Sequence, residues 1–358
     1  MEILGLEGVR IAGIAAYVPK TSVANDAKVA AATGIPARRV AAPGASVADL
    51  CVAATRRVLA DVQACPEEFG AILAVSFTQR ERMPSIAAQT QAKLGFPKTV
   101  LAFDVLQACA GWPYGLYLAG LLARETGKKV LLLDGDKQSE FLDATDAATA
   151  PLLSDGATAT IVESNEVSRP SRLSRPSCRP DDGKSQERQT GPFLFSFHTD
   201  GEKGGALRLE KGSTIKMDGF GVFRFVATDV VEFLKEFNNR IIELSNNRMN
   251  GASTTHSTTR PFDHSIISFF VPHQPNVYMV RQLAKALGLE DRTLLSADRF
   301  GNLASASVPA TIAANAAAFG GKAARVLVAG FGGGLAISAA WIELPADCRL
   351  SVTEGDPN

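Results

Sequence analysis

Charge of one sign is what this chain of 358 residues lacks. Its 37 basic residues balance 37 acidic ones, the formal net charge is zero and the pI is about 6.9. With no global basic field, nucleic acid is excluded as the main partner. Long apolar runs are missing too. A bilayer-spanning helix needs about 18 consecutive apolar residues, and no such stretch occurs, so no membrane partner is expected. The opening MEILGLEGVRIAGIAAYVP has acids early and no basic run. It alternates with glycine like a strand and does not read as a signal peptide. Cysteine is scarce. Cys51, Cys65, Cys109, Cys178 and Cys348 are odd in number and show no C-x-x-C spacing. Neither a disulfide framework nor a zinc site is expected, and a reducing cytoplasm is the expected compartment.

What the chain does have is apolar content, 46% against 21% charged, ordinary for a globular protein with a large core. Its length suits two domains or one large α/β body. AILAVSF (Ala71 to Phe77) reads as a buried strand. A helix follows over Ser85 to Gly95, with Pro84 at its start and glycine at its end. TVLAFDV, the segment around Cys109, KKVLLLDGD (Lys128 to Asp136) and GATATIVE (Gly156 to Glu163) continue the series. Such a β-α-β order implies helices covering a mixed or parallel sheet. Later, Val277, Val280, Leu283, Ala284 and Leu287 fall on one helical face, stopped by Gly288. The second half repeats the plan: SIISFFVP aligns with AILAVSFT, and RVLVAGF with VLLLDGD. An internal duplication is expected. Residues 1–165 form the first half and 191–358 the second. Between them, 166–190 is rich in Ser, Pro and Arg and reads as a flexible insertion.

Cys109 sits in DVLQACAGWPYGLYLAG, after an expected strand and at the opening of a helical stretch. A helix N-terminus stabilises thiolate, which predicts a pKa below the usual value of about 8.5. A small buried filler is the alternative. His273 in VPHQPN ends a strand, and Asn302 in RFGNLASAS lies in a turn before a helix. AGFGGGLA (Ala329 to Ala336) is a glycine loop whose free N–H groups can hold an oxyanion. Each has an ordinary reading as a structural histidine, a turn residue or a hairpin. In a duplicated α/β body, however, strand ends converge and the three side chains can share a cleft. Together they suit acyl transfer through a thioester. His and Asn can both donate to a carbonyl oxygen, as an enolate formed by decarboxylation requires.

Seven collinear motifs carry a resemblance: TGIPARRV (Thr33 to Val40), FDVLQACAGWPYGL, LLSDGATATIV (Leu152 to Val162), MDGFGVFRF (Met217 to Phe225), VPHQPN, FGNLASASVP and GFGGGLA. On these the chain resembles the β-ketoacyl-acyl carrier protein synthase III family, over nearly all its length outside two polar stretches. The resemblance implies a thiolase-like α/β fold, a duplicated α-β-α-β-α layering with mixed sheets. It implies an acyltransferase in which Cys109 takes the acyl group as a thioester. His273 and Asn302 then bind the malonyl thioester and stabilise its enolate, with the N–H groups of Cys109 and Gly333 as the oxyanion hole. The order is ping-pong. The resemblance also implies a homodimer in which a partner residue closes the acyl pocket, at the position matching Met83. Asn276 and Phe331 complete the expected pocket. No resident cofactor is implied. Acyl-coenzyme A or acyl-carrier protein and malonyl-carrier protein are substrates, in fatty acid or specialised-metabolite biosynthesis.

The departures are as specific. The family commonly has a Trp and an Arg before the TGI motif and another Arg after TD, which clamp the adenine of coenzyme A. Lys28, Ala32 and Ala147 stand in those places. The Arg implicated in docking carrier protein is Tyr278 here. A non-standard acyl donor is therefore expected. Two other readings stay open. One is an ester- or amide-forming acyltransferase with His273 as general base, against which the retained Asn302 argues. The other is a non-catalytic partner subunit, against which the complete set of Cys109, His273 and Asn302 argues.

Overall fold

Short β-branched runs alternating with amphipathic stretches fold into two large sheets, beside two small two-stranded ones, with helices between and outside the large pair. A computed structural model describes residues 1–165, 191–250 and 266–356. The 166–190 insertion lies outside the described residues, as does most of the second polar stretch, 246–264. The first half supplies β1 (Leu4–Leu6), β2 (Val9–Pro19), β3 (Phe69–Val75), β4 (Leu101–Val105), β5 (Lys129–Asp136) and β6 (Gly156–Ser164). The second supplies β7 (Phe193–Thr199), β8 (Phe269–Pro272), β9 (Ala324–Gly332), β10 (Ala336–Leu344) and β11 (Arg349–Gly355). One sheet runs β11-β2-β6-β5-β3-β4 and the other β1-β7-β10-β9-β8.

The duplication is visible in the ladders. β3 pairs parallel with β5, β5 antiparallel with β6, and β6 antiparallel with β2. In the other sheet β8 pairs parallel with β9, β9 antiparallel with β10, and β10 antiparallel with β7. The strands aligned in the sequence, β3 with β8 and β5 with β9, hold matching places. The termini break the symmetry. β1 pairs with β7 in the second sheet, and β11 runs parallel to β2 in the first. Each sheet thus takes an edge strand from the other half of the chain.

Helices α1 (Val47–Val62) and α2 (Ile86–Leu94) cover the outer face of the first sheet. Helix α3 (Gly111–Thr126) lies between the sheets. Helices α4 (Val231–Asn250) and α5 (Val277–Leu287) cover the second sheet, and α6 (Ser307–Ala314) joins α3 in the middle layer. This is the expected α-β-α-β-α layering. Local chemistry sets the ends. Ser85 caps α2 by accepting from the Ala88 N–H at 3.1 Å, and Gly95 ends it in the left-handed region at φ 68°. Trp112 anchors the middle layer. It is fully buried, and its indole N–H donates to Thr160 Oγ1 at 3.3 Å, so a large apolar group is buried without stranding its donor. Cys51, Cys109 and Cys348 are free thiols. Among the described residues, no helix is long and apolar enough to cross a membrane.

Candidate active site

Three chain segments meet where the strands of both halves end. After β4 the chain turns through Cys109 into α3, leaving Cys109 only 9% exposed. The end of β9 presses against this turn. A Cβ on Gly330 would come within 2.8 Å of the Ala110 Cα, and one on Gly332 within 2.8 Å of the Cys109 Cβ. Gly332 also has a φ of +154°. Only glycine allows that backbone to come so close.

His273 follows β8, and its backbone N–H donates to the Ala329 carbonyl at 2.6 Å. The ring is buried, with Nδ1 2.7 Å from Ser307 Oγ and the edge of Phe331 against it at 5.3 Å between centroids. Burial lowers its pKa from 6.5 to about 3, with a hydrogen bond to the Ala304 backbone opposing. The imidazole is neutral at physiological pH. Asn302 is held through its backbone. Its N–H donates to the Leu152 carbonyl at 2.9 Å, and its carbonyl accepts from the Ser154 N–H at 2.9 Å and from Gln138 Nε2 at 2.8 Å. Its side-chain Oδ1 accepts from the Ala304 N–H at 2.8 Å. With that oxygen engaged, the amide presents its donor end.

Cys109, His273 and Asn302 line one cavity of about 370 Å³, together with Phe331, Gly332 and Gly333. A sequence model of the C-terminal part of 3-oxoacyl-[acyl-carrier-protein (ACP)] synthase III matches residues 259–344, and a second, of 3-oxoacyl-[acyl-carrier-protein (ACP)] synthase III, matches 103–174. Both halves of the chain thus match the β-ketoacyl-acyl carrier protein synthase III family. It is an acyltransferase of that class. A β-ketoacyl-[acyl-carrier-protein] synthase III from Tropheryma whipplei is 29% identical over 320 residues, covering 87% of this chain and 88% of that protein. The same fold is found in a 3-oxoacyl-(acyl-carrier protein) synthase from Burkholderia xenovorans, at TM-score 0.79 and 24% identity over 99% of both chains. It is also found in the priming β-ketosynthase of the R1128 polyketide pathway, at TM-score 0.75 and 23% identity over 96% of this chain and 98% of that one.

Against the expectations from this synthase family, one pocket residue lies elsewhere. Asn276 does not line the cavity. Its Oδ1 accepts from the Met279 N–H at 2.8 Å and caps α5. An Asn just ahead of an amphipathic run is itself a cap signal, and it was available in the sequence. Met83, expected to reach a partner's pocket rather than its own, is 84% exposed and lies outside this chain's lining. Phe331 and Gly333 do line it. The Cys109 thiol departs from expectation in the opposite direction. Burial and, next, the charge of Asp136 push its pKa up to about 12, with a hydrogen bond at its own backbone opposing. The resting group is a thiol. Desolvation outweighs the helix end here.

Sequence reasoning missed the polar frame behind these residues. Asp136, at the end of β5, and Gln138 just after it both bond to the turn that carries Asn302. Ser307 holds the His273 ring. None belongs to a recognisable spacing, because their partners are far away in the chain.

Proposed function

We propose that this chain is a decarboxylative condensing enzyme with a non-standard acyl donor. The observation that carries the reading is Asn302. Its oxygen is engaged by the Ala304 N–H, so its donor end remains for a cavity shared with Cys109 and a neutral His273. In the first half-reaction Cys109 Sγ attacks the donor's thioester carbonyl. The Sγ–C bond forms, the donor's thiolate leaves, and the Cys109 proton passes to it through neutral His273. The N–H groups of Cys109 and Gly333 hold the developing oxyanion. In the second, the carboxylate–methylene bond of a malonyl thioester breaks. Carbon dioxide leaves, and its electron pair moves into an enolate whose oxygen accepts from His273 and Asn302. The methylene carbon then attacks the acyl thioester, and Cys109 leaves and regains a proton. Electrons balance within the substrates, so no resident cofactor is needed.

Three observations support the donor and partner readings. Lys28, Ala32 and Ala147 are exposed and supply neither an indole nor a guanidinium for an adenine. Tyr278 is 50% exposed and stacks near Phe223 at 6.5 Å between centroids. On edge strand β4, Leu101 and Phe103 are exposed, which suits pairing with a second copy that would receive Met83.

Intact-protein mass spectrometry with matched acyl-coenzyme A and acyl-carrier protein donors tests the first half. A mass gain is expected that maps to Cys109, and Cys109→Ala abolishes it. Acyl label persisting on that variant would overturn the nucleophile. Asn302→Ala keeps the acyl gain and loses carbon dioxide release from malonyl thioester. Unchanged release would remove its enolate role.

A further inference from the structure

Asp136 is fully buried where β5 ends beside the cavity. Its Oδ1 accepts from Ser76 Oγ at 3.0 Å, the Phe77 N–H at 3.1 Å and Thr78 Oγ1 at 2.9 Å. Its Oδ2 accepts from Ser305 Oγ at 2.7 Å and the Ser305 N–H at 3.3 Å. Each oxygen therefore faces a backbone N–H, which can only donate. A carboxyl proton on either oxygen would oppose one of them, so the frame is built for the ionised form. Burial pulls the other way and raises the group to about 6.

Two residues on, Gln138 Nε2 donates to the carbonyls of Ser154 at 2.7 Å and Asn302 at 2.8 Å. The end of β5 thus grips the Asn302 turn at both ends, at residue 302 and at residue 305. The bond from the Ala304 N–H to Asn302 Oδ1 lies between these two grips.

The titratable groups around Asp136 are either held neutral or engaged elsewhere. Asp134, on the same strand, is pushed well above the usual carboxylate range by burial. Cys51 of α1 and Cys109 before α3 are raised as well, by burial first and then by nearby carboxylates including Asp136. His273 is neutral. The Lys137 ammonium is directed to Glu140 at 2.9 Å and the Ala45 carbonyl at 2.7 Å. Asp155 is engaged with Ser139 and the Ala41 N–H.

We propose that Asp136 is a positioning residue. Its carboxylate fixes the turn from Asn302 to Ser305 so that the Asn302 donor meets the enolate oxygen. That role rests on the decarboxylative reading above.

Asp136→Asn tests it, because it keeps the shape and removes the charge and one acceptor. Carbon dioxide release from malonyl thioester is expected to fall by at least about tenfold, as for a buried charge-assisted bond. Acyl loading of Cys109 is expected to change by less than about threefold. Ser305→Ala removes one hydroxyl and keeps the N–H, so it should reproduce part of the loss in release; it is the variant to read if Asp136→Asn does not fold. Equal slowing of release and loading would reduce Asp136 to a structural residue and overturn the proposal. If the native protein itself releases no carbon dioxide, the decarboxylative reading fails and the proposal falls with it.

Discussion

Strands β5 and β9 hold matching places in their two sheets, yet one ends in charge and the other in glycine. At the end of β5, Asp136 and Gln138 reach across to the Asn302 turn in the second half. At the end of β9, Gly330 and Gly332 let the second half press against Ala110 and Cys109 in the first. Each half holds the other half's reactive residue. Duplication supplied two equivalent strand ends, and side-chain chemistry made them unequal. The difference shows why neither half can carry the site by itself. The acyl-accepting thiol needs the other half's close backbone, and the Asn302 donor needs the other half's hydrogen bonds.

The comparison can be broken most severely from the layer both halves share. Trp112→Ala should cost about 3–5 kcal/mol, because it empties a fully buried site between the sheets. Urea denaturation measures it. Next comes the glycine end of β9. Gly332→Ala brings a Cβ to within 2.8 Å of the Cys109 Cβ, and loading of Cys109 should slow by about 100-fold, the scale of a misplacement near 1 Å. Gly201→Ala, with nothing within 4 Å of the added atom, is the control and should load normally.

His273 gives a smaller, pH-dependent effect. Its pKa is lowered in the fold, from 6.5 to about 3. The unfolded chain therefore takes up a proton that the folded one does not. The stability this contributes is complete above about pH 6.5 and is lost as pH falls toward 3. Between pH 7.5 and 5 the loss should be about 2 kcal/mol. His273→Gln cannot take that proton, so its urea midpoint should fall less over the same range. A parallel fall in both proteins would place the effect elsewhere. The smallest change sharpens the picture. Asn276→Ala removes a helix cap and should cost about 1 kcal/mol while leaving Cys109 loading unchanged, since Asn276 does not line the cavity. A loading defect would return Asn276 to the pocket.

Much of the fold was legible in the sequence for local reasons. The glycine and serine ends of α2, the spacing of Val277, Val280 and Leu283, and the aligned strand pairs all follow from short-range rules. The residues around the cavity were legible through family motifs rather than spacing. What escaped was long-range. Asp136 in VLLLDGD looked like the polar end of a strand, but its partners Ser76 and Ser305 are distant in the chain. The Cys109 thiol was misjudged because a helix N-terminus is visible in a sequence and the depth of burial around it is not. Asn276 was misassigned because a family position was read ahead of its own capping chemistry. The strand exchange escaped because LGL is too short to announce which sheet it will join.

That exchange shapes how the chain is made. Arg349 pairs with Gly13 and Gly355 with Pro19, so nearly the whole polypeptide lies between two neighbouring strands. During synthesis, β2 emerges early and waits, one edge open, for a partner that leaves the ribosome after every other strand of its sheet. Contacts of such sequence separation make assembly slow. They also leave an unpaired edge available to other nascent chains until the final strand arrives.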